Sequence, residues 1–90
     1  MDFKFSNQNV INDILNNNNN DLIKTNLNMI LDIFKAAQDF TVLSKIQYLD
    51  LRKYSRKKDS FSVKILNPSM RLTIKKLDKE SILILTIITK

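Results

Sequence analysis

Apolar and polar residues alternate in three short stretches of the chain, at 2–5, 61–65 and 70–75. Alternation of this kind is typical of strands that bury one face and expose the other. A fourth stretch, 82–88, is apolar on both faces, which predicts a central strand buried on two sides. Turn-forming residues separate the last three strands, at Asn67-Pro68-Ser69 and at Asp78-Lys79-Glu80.

Two other segments have the apolar spacing of helices. The first begins near Gln8 and leads into the Asn run at 16–20, which favours a surface connection because Asn side chains compete for backbone hydrogen bonds. The second begins at Asp21 and should end near Asp39. Its apolar residues recur at intervals of four and three, at Ile23, Leu27, Ile30, Phe34 and Ala37. A short turn or helical corner over 40–46 then closes over the core.

The order of these elements is strand, helix, helix and a three-stranded meander. This order predicts an α+β fold in which two helices pack on one mainly antiparallel sheet. The 90 residues, of which 43% are apolar, are enough for a single domain spanning 1–90 with a modest core. The free energy of unfolding of such a small domain is about 5 kcal/mol.

The residue types that the chain lacks exclude several kinds of chemistry. It has no Cys and no His, which rules out disulfides, thiolate metal sites and a histidine general base. We therefore predict no metal and no cofactor, and any catalysis must use Lys, Arg, Tyr, Asp, Glu or groups of the substrate. The apolar runs are too short to span a membrane and the N-terminal residues lack a signal-peptide pattern. A cytoplasmic protein without a membrane partner is expected.

Charge is distributed unevenly along the chain. Residues 1–50 contain four Lys and six Asp, a net charge of −2, whereas residues 51–90 contain eleven Lys and Arg and three acidic residues, a net charge of +8. Five of the seven residues from Arg52 to Lys58 are cationic. A surface with this charge indicates a polyanionic partner, most plausibly RNA. The plainer interpretation, a solvated Lys-rich loop, remains open.

The strand periodicity predicts where these cations gather. If the strands 61–65 and 70–75 pair, Lys64 and Arg71 lie near each other on the solvent face, next to the basic loop. Such cations hold a phosphate backbone and stabilise the negative charge that develops when a 2′-oxygen attacks phosphorus. Arg71 could equally be a solvent-exposed residue without a functional role. Tyr54 could stack on a base or pack on a neighbouring Lys stem.

Three blocks of the sequence resemble one family. Residues 34–43, FKAAQDFTVL, are similar to the helix ending "lkAAenLadL"; residues 56–65, RKKDSFSVKI, are similar to "dRkGqYSVdI"; residues 70–72, MRL, are similar to "wRLiF". These motifs belong to the RelE/ParE superfamily of toxins from type II toxin–antitoxin systems, in particular the HigB-like plasmid-maintenance killer proteins. The resemblance covers nearly the whole chain, with Asp59 in the place of a motif glycine.

The resemblance implies a β-α-α-β-β-β fold and a small basic toxin that a cognate antitoxin neutralises in a hetero-oligomer. It also implies an endoribonuclease that cleaves mRNA on the ribosome without a metal, through attack by the RNA's own 2′-hydroxyl. By position, Arg71 corresponds to the Arg that contacts the scissile phosphate and Lys57 to the motif Arg, while Tyr54 could supply a phenol. The residues expected to contact mRNA or rRNA are Arg52, Lys53, Arg56, Lys58, Lys64, Lys75 and Lys90.

Two other functions fit the same sequence. A ParE-like inhibitor of DNA gyrase would bind a protein target and would need no nuclease site, and the absence of His weakens the nuclease interpretation more than this one. A catalytically inert basic RNA- or DNA-binding module would share the cationic sheet and would need no antitoxin.

Overall fold

A five-stranded open sheet forms the framework of the protein in a computed structural model, which describes residues 1–6, 21–54, 56–67 and 69–89. The strands are β1 (Asp2–Phe5), β2 (Arg52–Lys53), β3 (Ser60–Lys64), β4 (Met70–Asp78) and β5 (Ser81–Thr89). Their order in the sheet is β1-β5-β4-β3-β2. β1 runs parallel to β5, and the other neighbours are antiparallel. With the helices described below, this is an α+β fold, as predicted.

Two helices and one 3-10 turn connect β1 to the rest of the sheet in the described part of the chain. Helix α1 spans Asp21–Ala36, helix α2 spans Phe40–Ser44, and the 3-10 turn spans Gln47–Leu49. The predicted extension of the long helix to Asp39 is wrong by about one turn. Asp39 instead caps α2, where its Oδ1 accepts a hydrogen bond from the Val42 backbone N–H at 2.9 Å.

The core lies between α1 and one face of the sheet. All five residues of the predicted α1 stripe are buried, and they pack with strand residues such as Val63, Leu72 and Ile74. The Phe40 and Phe61 rings, 4.8 Å apart between centroids, join α2 to β3. The helical spacing of the apolar residues therefore gives the correct buried face. No helix within the described ranges is long and apolar enough to cross a membrane.

The sheet differs from the predicted one in two ways. A short edge strand, β2, forms inside the segment that we predicted to be a loop, and Arg52 pairs there with Ser62. β5 is central but is not buried on two sides: Ile82 and Ile84 are buried, whereas Thr86 is exposed. The face opposite Ile82 and Ile84 is only partly covered, since Leu83 on that face is half-buried. The predicted helix near Gln8 and the Asn run lie outside the described residues.

The chain makes its turns without glycine. The Asn67 side chain accepts hydrogen bonds from the Ser69 and Met70 backbone N–H groups, and the Asp78 carboxylate accepts one from Glu80. Two aspartates, Asp50 and Asp59, have φ angles of 46° and 61° in the left-handed region. Asp tolerates this region better than most residues with a Cβ atom, so it serves where a glycine would otherwise be expected.

Candidate nucleic-acid interface

Five cations lie together on the exposed edge of the sheet. We call them the basic segment: Arg52, Lys53, Arg56, Lys57 and Lys58. Arg52 and Lys53 form β2, and the other three belong to the turn that leads into β3. All five residues are exposed, as the sequence predicted. Edge strands have backbone groups without a strand neighbour on one side, and charged side chains there oppose pairing with other chains.

Arg71 lies inside the protein, not on its surface. The expected solvent position of Arg71 is wrong, because only 3% of the residue is exposed. The predicted alternation of this strand is confirmed, since Leu72 faces the core and Arg71 the opposite face. However, the chain around Asp50 covers that face, and the Arg71 guanidinium is held beneath it.

Four hydrogen bonds hold the Arg71 guanidinium. Nε donates to the Ser62 Oγ at 2.7 Å, and Nη2 donates to the Ser62 carbonyl at 3.1 Å. Nη1 pairs with the Asp50 Oδ2 at 3.0 Å, and Nη2 also donates to the Asp50 carbonyl. The guanidinium therefore ties β4 to β3 and to Asp50, two residues before β2. A buried arginine needs such partners, because an unpaired charge inside a protein is costly.

Asp50 presents two acceptors to Arg71 because of its backbone conformation. It follows the 3-10 turn in the left-handed region, and both its carbonyl and its carboxylate then point to the guanidinium. The same carboxylate oxygen pairs with Arg52 Nη2 at 3.1 Å, on the surface side. Hydrogen bonding from Arg71, helped by the charge of Arg52, holds the pKa of the Asp50 carboxyl below its ordinary value of 3.8.

Lys64 lies on the same face as Arg71, as its cross-strand partner, and next to Tyr48, which is not one of the predicted site residues. Its Nζ is 5.8 Å from the centroid of the Tyr48 ring, within the range of a cation–π interaction. Tyr48 is 42% exposed. An aromatic residue close to the basic run was the available signal for Tyr48, but its contact with Lys64 depends on the tertiary fold.

The remaining predicted site residues are spread more widely. Lys75 is exposed on β4 opposite Ser60, which places it on the face that also carries Arg71. Tyr54 is half-buried and donates its backbone N–H to the Ser60 carbonyl at 2.9 Å. Lys90 lies outside the described residues. The structure thus gathers most of the predicted cations along the β2–β3 edge, while the role of each in binding stays a prediction.

Among the described residues, no cluster of acidic side chains is suited to hold a metal ion. The chain matches no protein-family model, no curated protein and no solved structure. Its function is therefore inferred from the positions and charges of its own residues.

Proposed function

We propose that the protein binds the phosphate backbone of RNA through the basic segment. The observation that supports this proposal is the exposure of all five cations on one edge of the sheet. The Asp50 carboxylate pairs with Arg52, but it shares its negative charge with the buried Arg71. The edge therefore keeps a strong positive charge, which attracts a polyanion by releasing its counterions.

The more specific form of the proposal is a toxin of the RelE/ParE superfamily, HigB-like, that acts on mRNA in the ribosome and is neutralised by an antitoxin. Two observations support it. The first strand, the helices and the later antiparallel strands follow one another along the chain, which is compatible with the implied β-α-α-β-β-β order except that the short β2 adds a fourth strand after the helices. Asp59 stands in the place of the motif glycine and has a φ of 61°, a conformation that glycine adopts readily.

Cleavage in this form of the proposal requires no metal. The RNA 2′-hydroxyl gives up its proton to water as its oxygen attacks the adjacent phosphorus, the bond to the 5′-oxygen breaks, and that leaving oxygen takes a proton from water, so that the products are a 2′,3′-cyclic phosphate and a 5′-hydroxyl. Exposed cations, Lys57 above all, stabilise the additional negative charge on the phosphoryl oxygens. Arg71 acts indirectly in this proposal: it holds the Asp50 carboxylate, which in turn pairs with the exposed Arg52. A direct contact between Arg71 and the scissile phosphate stays a prediction.

RNA binding by the basic segment is tested with a labelled single-stranded RNA over a range of salt concentrations. The variant Lys53→Ala/Arg56→Ala/Lys58→Ala should bind more weakly, and its slope of log affinity against log salt should fall by about 2, since each phosphate contact contributes about 0.7 for single strands. The matched control is Lys4→Ala/Lys45→Ala/Lys79→Ala, which removes the same charge from exposed residues elsewhere. Equal losses in both variants would show that only the net charge matters.

Toxicity is tested by inducible expression in a bacterial host, with mapping of new 5′ ends on abundant transcripts. Growth arrest with new ends inside translated codons, lost in the basic-segment variant and kept in the control, is the result expected for the nuclease. Arrest with intact transcripts and altered DNA supercoiling would favour the gyrase inhibitor. Normal growth of a protein that binds RNA in vitro would favour the inert binding module.

A further inference from the structure

Tyr48 differs from the other aromatic residues in its exposure. The chain has five Phe and two Tyr, all within the described residues, and Tyr48 is the only exposed one among them. Its backbone is nonetheless firmly placed, because the next residue, Leu49, is fully buried in the core. The ring is thus a fixed apolar surface in contact with solvent.

Polar groups on both sides set the position of this ring. The Tyr48 hydroxyl is 3.5 Å from the Asn26 Oδ1 on α1, and the Asn26 Nδ2 donates to the Ile65 carbonyl at 3.1 Å. The Lys64 Nζ lies 5.8 Å from the ring centroid. Tyr48 therefore lies between α1 and the end of β3, next to the Lys64 ammonium group.

The ring also adjoins the basic segment along the chain. Asp50, two residues after Tyr48, pairs with Arg52 at 3.1 Å, and the basic segment begins at Arg52. Proteins that bind single-stranded nucleic acids combine cations that follow the backbone with aromatic rings on which the bases stack. Both parts are present here: the ring lies next to Lys64 at the end of β3, and the basic segment follows it along the chain.

We infer that Tyr48 and Lys64 form a base-binding subsite, in which an unpaired base of RNA stacks on the Tyr48 ring and Lys64 contacts the phosphate of that nucleotide. This inference rests on the proposed function, since the basic segment holds the rest of the strand. Tyr48, and not the half-buried Tyr54, is then the stacking aromatic residue. Stacking accepts every base, so the subsite selects single strands over duplexes and not one sequence over another.

Tyrosine fluorescence provides a direct measurement, because the chain contains no Trp. In a Tyr54→Phe background, Tyr48 is the only tyrosine. The protein is titrated with an octameric oligouridylate and with an abasic octamer of equal charge, with correction for absorbance. We expect the uridylate to quench the Tyr48 emission and to bind roughly tenfold more tightly than the abasic strand, as one stacked base contributes.

Two variants separate stacking from a structural role of Tyr48. In the unmodified chain, labelled oligomers should bind Tyr48→Leu with no preference for the uridylate, whereas Tyr48→Phe should keep the preference because the ring remains. Circular dichroism checks that both variants are folded. Equal affinity of the unmodified protein for the two oligomers, or a preference that persists in Tyr48→Leu, would overturn the subsite alone. Failure of both oligomers to bind would overturn the proposed function as well.

Discussion

Arg71 and Arg52 bind the same carboxylate oxygen of Asp50, one from inside the protein and one from its surface. The two distances are nearly equal, 3.0 and 3.1 Å, but 4% of the Arg71 side chain is exposed and 61% of the Arg52 side chain. The buried pair sits among further hydrogen bonds, whereas water and salt screen the outer one. Two arginines that look alike in the sequence thus differ in their surroundings: Arg71 is a buried structural residue, and Arg52 is exposed to solvent.

The largest expected effect is on stability. Arg71→Met removes four hydrogen bonds and should lower the free energy of unfolding by about 3 kcal/mol. This loss is at the lower end of those caused by breaking a buried ion pair, because the Asp50 carboxylate remains accessible to water. Arg52→Met should change it by less than about 0.5 kcal/mol. Urea denaturation followed by circular dichroism measures both. Equal stabilities would remove the distinction between the two arginines.

For RNA binding we expect the opposite order, with a larger effect of Arg52→Met than of Arg71→Met. Arg52→Met removes one exposed cation and should lower the salt slope by about 0.7. Arg71→Met should leave the slope unchanged under conditions in which the variant is folded, since the guanidinium is buried. The measurement is the same salt titration with labelled RNA. A lower slope for folded Arg71→Met would show that Arg71 does reach a phosphate, as the family resemblance implies.

Low pH should weaken the ion pair between Asp50 and Arg71. The pKa of the Asp50 carboxyl is lowered in the folded protein, mainly by Arg71, so its contribution to stability is complete above the ordinary value of 3.8 and is lost as pH falls through the folded value. Asn also tolerates the left-handed conformation. The Asp50→Asn variant should therefore be less stable than the unmodified protein at pH 6, and its stability should fall less when the pH is lowered. Thermal unfolding between pH 6 and pH 2.5 tests this. The pKa of Asp78 is lowered too, mainly by the Glu80 backbone N–H, so some acid dependence remains.

The smallest effect concerns the two left-handed aspartates. Asp59→Gly should raise the free energy of unfolding by about 0.5 kcal/mol, because glycine adopts a φ of 61° without a steric penalty. Asp50→Gly also places a glycine in the left-handed region, but it should destabilise the protein because Arg71 loses the carboxylate with which it pairs. Melting temperatures decide the question, with about 2–4 °C expected for Asp59→Gly. A stabilising Asp50→Gly would mean that the carboxylate contributes little.

Local periodicity predicted the elements that depend on neighbouring residues. The stripe of α1 and the alternation of β3 and β4 follow from which side chains bury against one core, and the exposed basic segment follows from its charge. The burial of Arg71 could not be predicted in this way. It depends on Asp50, 21 residues earlier, and on a left-handed conformation that no residue pattern indicates. The contact of Tyr48 with Lys64 is likewise a product of the tertiary fold.

The parallel pairing of β1 with β5 has a consequence for the timing of folding. Asp2 lies beside Ser81, so this part of the sheet closes only after nearly the whole described chain is available. Contacts between such distant residues slow folding, because the intervening chain must be ordered before the contact forms. During synthesis, Asp2–Phe5 leaves the ribosome long before its only strand neighbour in the described sheet. Until β5 has been synthesised, β1 therefore has no strand partner in the described sheet and β4 lacks one of its two neighbours.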